Sequence, residues 1–224
     1  KLLLYKFFLF DAKLAKAMGY GDRYERLIQR TFGKDVKKQR ESVDKQRESG
    51  ERGERNVRYH LKWLEGYKVL NNVRVPNPME SQQFDHIVIG KNGIFHLETK
   101  NYGGEYGGKI IINKEGDWSI ERVQGTVGIE NPLFQVKRHE RVLREFIEKE
   151  FPGLSIPIKE ILVLSNEKTI IEGYENSPIT LLRVERLNDF ITNYKSDINI
   201  DESLIDLIYE KLMIHIEKDK GGHN

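Results

Sequence analysis

Apolar residues fall along this chain in short runs of two different periods, and their succession predicts an α/β fold. Residues 1–32 carry a helical pattern: Leu2 to Phe10 are apolar apart from Lys6, and Leu14, Met18 and Tyr20 sit among polar neighbours. Between Phe32 and Val57 the only aliphatic side chains are Val36 and Val43, the pattern of a solvated helix, a linker or an arm along a phosphate backbone. From Gly50 the pattern becomes that of a compact domain. Val57, Leu61 and Leu64 recur at helical spacing, which predicts a helix over about 51–65, stopped by Gly66. Strands are predicted at Val73–Val75, Phe84–Ile89 and Ile94–Lys100. A hairpin of Lys109–Asn113 and Trp118–Glu121 follows across Lys114-Glu115-Gly116. Asn131 is a good N-cap with Pro132 at the first helical position, opening a helix to about Glu150 that Pro152-Gly153 ends. Ile161–Leu164 and Ile179–Val184 read as further strands, and Glu202–Lys218 as a closing amphipathic helix. The expected architecture is a small mixed β-sheet flanked by helices, with helical additions at both termini. Residues 1–49 form a charged helical extension, 50–165 the core, and 166–224 a strand and helix that complete it.

Composition narrows the function classes. A chain of 224 residues is long enough for one sizeable core and a small appendage. Lys plus Arg number 37 against 35 Asp plus Glu, so any basic surface must come from segregation of charge and not from excess. Cysteine is absent, which excludes disulfides, thiolate zinc sites and a cysteine nucleophile, and is compatible with a cytoplasmic location. Leu2–Phe10 has about half the roughly twenty apolar residues that a membrane span needs. It reads first as a helix docked on the domain, and second as a membrane-contact segment.

The chemistry concentrates between Gln83 and Lys100. Side chains alternate faces in a strand, so Glu98 and Lys100 point the same way as Ile94 and His96, and Asp85 shares its face with Ile87 and Ile89. Asn92-Gly93 is a strong signal for a two-residue turn. With that pair at the centre, Asp85 opposes Lys100; with Lys91-Asn92 at the centre, it opposes Glu98. Either register gathers Asp85, Glu98 and Lys100 on one face. On the preceding helix Glu54 lies about 20° from Leu61 and about 60° from Val57, at about 100° per residue, within the core-facing stripe. A carboxylate there is costly unless it is paired or binds a cation.

Three carboxylates and a lysine suit a divalent-metal phosphodiesterase. Magnesium, with manganese as a substitute, is held by one or two carboxylates plus water and phosphate. A nearby ammonium offsets charge that develops during phosphoryl transfer. Taken alone, the same residues also describe an Asp–Lys pair on a solvated face. His86, His96 and His139 lack helical metal-ligand spacing, which argues against a histidine zinc site. No Walker-type phosphate loop is present, and Ser155 and Ser165 lack a nucleophile-elbow context.

Several segments occur in an order that decides between these readings. They are Gly50-Glu51-Arg52-Gly53-Glu54, Phe84-Asp85-His86-Ile87-Val88-Ile89 and Gly93-Ile94-Phe95-His96-Leu97-Glu98-Thr99-Lys100-Asn101. A Gly-rich stretch, Trp118, Asn131-Pro132-Leu133-Phe134-Gln135 and Arg138-His139 follow. In that order they resemble the nuclease-related domain (NERD) family over about residues 50–165. The resemblance implies the αβββαβ core of the PD-(D/E)xK nucleases and a metal-dependent site. Asp85 and Glu98 would bind metal, Lys100 would be catalytic, and Glu54 and Gln135 would complete the site. Phe84 stands where the superfamily has proline, a position with no chemical role. Nucleic acid, DNA ahead of RNA, would be the substrate. Lys137, Arg138, His139, Arg141 and Arg144 are the expected contacts to it. The rival reading is a non-catalytic nucleic-acid-binding or regulatory module that keeps the fold, with or without a membrane tether.

Overall fold

The computed structural model describes Lys6, Phe10 and residues 23–122 and 125–217. The chain divides into two compact units, Lys1–Ser49 and Gly50–Asn224. Leu2–Phe10 lies outside the described residues apart from Lys6 and Phe10, and so does the question of what it docks on. Among the described residues no helix is long and apolar enough to cross a membrane.

The polar stretch is one continuous helix, α1 (Arg23–Leu61). Its Lys, Arg, Gln and Glu residues are good helix formers, and charge pairs such as Lys37–Glu41 and Glu51–Arg55 lie one turn apart. Beyond Gly50 it acquires an apolar stripe and packs on a five-stranded sheet. That sheet holds β1 (Lys68–Val75), β2 (Gln82–Gly90), β3 (Gly93–Lys100), β7 (Ile158–Leu164) and β9 (Thr180–Arg183), in the order β1-β2-β3-β7-β9. The first three strands pair antiparallel and the last three parallel. A second sheet, not separated in the sequence reading, has the order β6-β5-β4-β8. It contains β4 (Gly108–Ile112), β5 (Trp118–Arg122), β6 (Gly125–Gly128) and β8 (Thr169–Glu172). The helices α2 (Leu133–Glu150), α3 (Leu187–Asn193) and α4 (Glu202–Met213) complete the mixed α/β fold.

Both faces of the larger sheet are buried. Val57 and Leu61 of α1 and Leu187 and Ile191 of α3 cover Val88, Phe95, Leu97 and Val163. Val142, Leu143 and Phe146 of α2 and Ile208 and Leu212 of α4 cover Leu70, Phe84, Ile87 and Ile94. Burial on both sides explains why β2 and β3 read as nearly continuous apolar runs.

Two details of the strands depart from the expected pattern. Phe84 and Ile87 lie three residues apart yet enter the same core, as do Leu70 and Val73 on β1. The alternation therefore shifts by one on both strands, where Asn72 takes a left-handed φ of 54°. Asp85 sits at this shift and does not simply share the face of Ile87 and Ile89. The hairpin closes at Gly90↔Gly93 around Lys91-Asn92, the second of the two registers. Neither turn residue has a positive φ, so a type I′ turn does not form. Buried Asn92 instead donates from Nδ2 to the carbonyls of Ile191 (2.7 Å) and Tyr194 (3.1 Å). Asn131 caps α2 from one residue further out than expected, its Oδ1 accepting from Leu133 N at 2.9 Å.

Gly53 sets how closely α1 approaches the ends of β3 and β7. A Cβ there would lie 2.6 Å from Ser165 Oγ and 2.9 Å from Asn101 Cβ, while one on Gly50 would meet nothing within 4 Å. The two glycines therefore respond oppositely to alanine. Gly50→Ala gains about 0.5–1 kcal/mol from helix propensity, whereas Gly53→Ala loses about 1–3 kcal/mol through overpacking. Thermal unfolding of the two variants measures this, and a matching gain in both would contradict the close approach.

Candidate functional site

Glu98 lies on β3, the middle strand of the larger sheet, and only 2% of it is exposed. Its charge needs compensation there. Lys100, two residues on and on the same face, places Nζ 2.9 Å from Glu98 Oε1. The same Nζ donates to Gln135 Oε1 at 2.8 Å, so the first turn of α2 is tied to the lysine. On the other side His139 Nδ1 lies 3.3 Å from Glu98 Oε2, a close contact that falls short of a well-formed hydrogen bond. Burial opposes the charge on Glu98, yet His139 and Lys100 outweigh it and hold the carboxyl at about 2.

Asp85 is half-buried beside this group. Its Oδ2 accepts from the backbone N–H of Thr99 at 2.8 Å, which fixes it against the residue that follows Glu98. Burial, then the negative charges of Glu98 and Glu54, push the Asp85 carboxyl well above the usual carboxylate range, against the pull of Thr99 N–H and Lys100. Glu54, half-buried on α1, thus acts electrostatically on the same spot from the helix on the other face of the sheet. Asp85, Glu98, Lys100, Gln135 and Glu54 are therefore neighbours, drawn from two strands and two helices. Their charges are those of a place for a cation.

The expected nucleic-acid contacts fare differently. His139 is 3% exposed and lies in the core stripe of α2 with Val136, Val142 and Leu143. Burial removes it from any contact with a solvent-borne phosphate. Lys137 is paired with Glu140 (3.2 Å) and with Glu160 of β7 (2.6 Å), and Arg144 with Glu140 (3.0 Å). This part of the helix is a compensated surface and not a free basic cluster. Arg138 and Arg141 are exposed and pair with no acidic group among the described residues.

A grouping against which the spacing of the histidines in the sequence argued lies on the α2 side of Glu98. His96 is completely buried, and burial above all keeps it neutral, at about 3. Its ring lies 4.9 Å from Phe84 and 5.3 Å from His139, and Phe84 lies 4.9 Å from His139. One ligand atom each from His96, Glu98 and His139 falls within 4.8 Å of the others, a group able to hold a metal ion. Two signals in the sequence point to it: His96 shares the strand face of Glu98, and His139 falls in the apolar stripe of α2.

The sequence profile of the nuclease-related domain (NERD) matches residues 49–165. An uncharacterized protein of Bacillus anthracis is 32% identical over 132 residues, 54% of this chain and 61% of that protein. The chain thus spans about three fifths of the length of that relative. No solved structure is significantly similar.

The Asp85–Glu98 pair has a measurable signature. A carboxyl whose folded pKa is raised binds more protons folded than unfolded, so stability falls as pH rises from its unfolded value of about 3.9 through the raised value. Glu98, held at about 2, adds stability that is complete above its ordinary range, so it contributes no slope there. Buried His86 and His96, held neutral at about 3, act the other way below their ordinary value of about 6.5. The Asp85 contribution is therefore read as a difference: in chelator-treated protein, Asp85→Asn should gain thermal stability relative to the wild type as pH rises above about 5. Melting curves across pH check this, and equal slopes for both proteins would contradict it.

Proposed function

Because the chain belongs to the nuclease-related domain family, we propose that it is a divalent-metal-dependent nuclease that hydrolyses nucleic-acid phosphodiester bonds. The observation that carries the reading is the double contact of Lys100, to Glu98 at 2.9 Å and to Gln135 at 2.8 Å, beside an Asp85 held at Thr99.

The residues fit a hard divalent cation. Asp85 and Glu98 offer oxygen ligands, and the electrostatic conflict between them is relieved by positive charge. Magnesium is the first choice of ion, with manganese as its substitute. When bound, the ion would polarise the phosphodiester and make an attacking water more acidic. Asp85 and Glu98 would hold the ion, and the Thr99 N–H keeps Asp85 from turning away. Lys100 faces the negative charge that grows on the phosphoryl oxygens in the transition state. Gln135 fixes the direction of the ammonium, and Glu54 adds a third carboxylate for orienting water. Arg138 and Arg141 supply the grip on flanking phosphates in place of the paired Lys137 and Arg144.

Two measurements test this reading. Single-turnover cleavage of labelled single- and double-stranded DNA and RNA, with magnesium or manganese, should slow on the order of 10²-fold or more in Lys100→Ala. Equilibrium binding should change little, because one phosphate contact among several carries a small part of the affinity. Wild-type protein that binds nucleic acid but cuts none of these substrates would instead be a non-catalytic module. Charge reversal at Arg138 and Arg141 should weaken binding and flatten its salt dependence, with smaller effects at Lys137 and Arg144. The opposite ranking would show that the ion pairs open on binding.

A further inference from the structure

Glu98 uses its two oxygens differently. Oε1 accepts from Lys100, whereas Oε2 turns towards His139 and is buried without a hydrogen-bond partner. Three more unpartnered polar atoms are buried around it: Nδ1 of His139 and both ring nitrogens of His96. More than about nine in ten buried polar groups in native proteins find partners, so four such atoms at one point call for a missing partner. Phe84, the nearest aromatic neighbour of both imidazoles, has no polar atom to offer.

The geometry points to a second metal site, in which His96, Glu98 and His139 bind a first-row transition ion of the zinc class. Two neutral imidazoles and a carboxylate are a borderline donor set, suited to zinc, cobalt or iron and unsuited to magnesium, which demands oxygen. The 3.3 Å between His139 Nδ1 and Glu98 Oε2 equals about the edge of a tetrahedron around an ion with bonds of roughly 2.0–2.1 Å. The third donor lies within 4.8 Å of both, so a small inward turn of one imidazole closes the set. Three protein ligands leave one position of a four-coordinate ion for water. Such an ion ties α2 to β3 from behind the carboxylate face, and so steadies both Glu98 and the helix that carries Gln135. The site shares Glu98 with the proposed catalytic cation but does not rest on catalysis.

The test uses the whole chain, stripped of metal with a chelator and titrated with cobalt(II), whose visible absorption reports its ligands, and with zinc. One ion per chain is expected. His96→Leu and His139→Leu should each weaken it at least about 10-fold, the loss typical even of residues that only support a metal ligand. Asp85→Asn and Lys100→Ala should leave it in place, which separates this site from the magnesium site. Because the leucine variants could misfold, the wild-type protein supplies a second readout. Zinc should shift the ring-nitrogen resonances of two of the six histidines, His96 and His139, and not those of His60, His215 or His223. Failure to bind cobalt or zinc, unchanged binding in folded His96→Leu, or shifts confined to the other histidines would overturn the proposal.

Discussion

A carboxylate buried on the middle strand of a two-sided sheet is the constraint around which this site is arranged. Glu98 can keep its charge there only if cations and donors come to it. Lys100 comes from the same strand because a spacing of two keeps one face. His139 and Gln135 come from α2, which therefore has to dock in one position along β3. Burial, and then the negative charges of Glu98 and Glu54, keep Asp85 from ionising freely, a conflict that a bound cation would relieve. The electrostatics and the packing of α2 are thus one problem with one solution.

The phase shift at Asn72 and Asp85 decides which side chains take part. It turns Phe84 into the α2-side core, against His96 and His139. It also leaves Asp85 at the end of β3, bonded to Thr99 N–H. In that position Asp85 feels Glu54, which stands on the helix that packs against the other face. Strict alternation would have committed Asp85 to the α2 face. Gly53, next to Glu54, completes the arrangement by allowing α1 to touch the strand ends.

Much of this was legible in the sequence where the signals are local. Period and turn chemistry located the β2–β3 hairpin, α2 and α4, and the shared face of Glu98 and Lys100. Most of what escaped depends on contacts between distant segments. Lys137 read as a free cation because its partner Glu160 arrives from β7; the Arg144–Glu140 pair, one turn apart on α2, is local and went unread. The short strands β6 (Gly-Thr-Val-Gly) and β8 (Thr-Ile-Ile-Glu) are too brief to show a period, and exist through pairing with β5 and β4. The shift at Asp85 originates in the backbone of Asn72 on the neighbouring strand. His139 is a different case. Its place in the apolar stripe was readable, but the polar side chain suggested phosphate when burial was the stronger signal.

The central claim is that Asp85 and Glu98 together hold one divalent ion. Crystals grown with manganese, measured where its anomalous signal is strong, test it most directly. The expected result is an ion within bonding distance, about 2.2 Å, of a carboxylate oxygen from each residue. Manganese found only beside His96 and His139, or absent from Asp85 in well-ordered density, would contradict it.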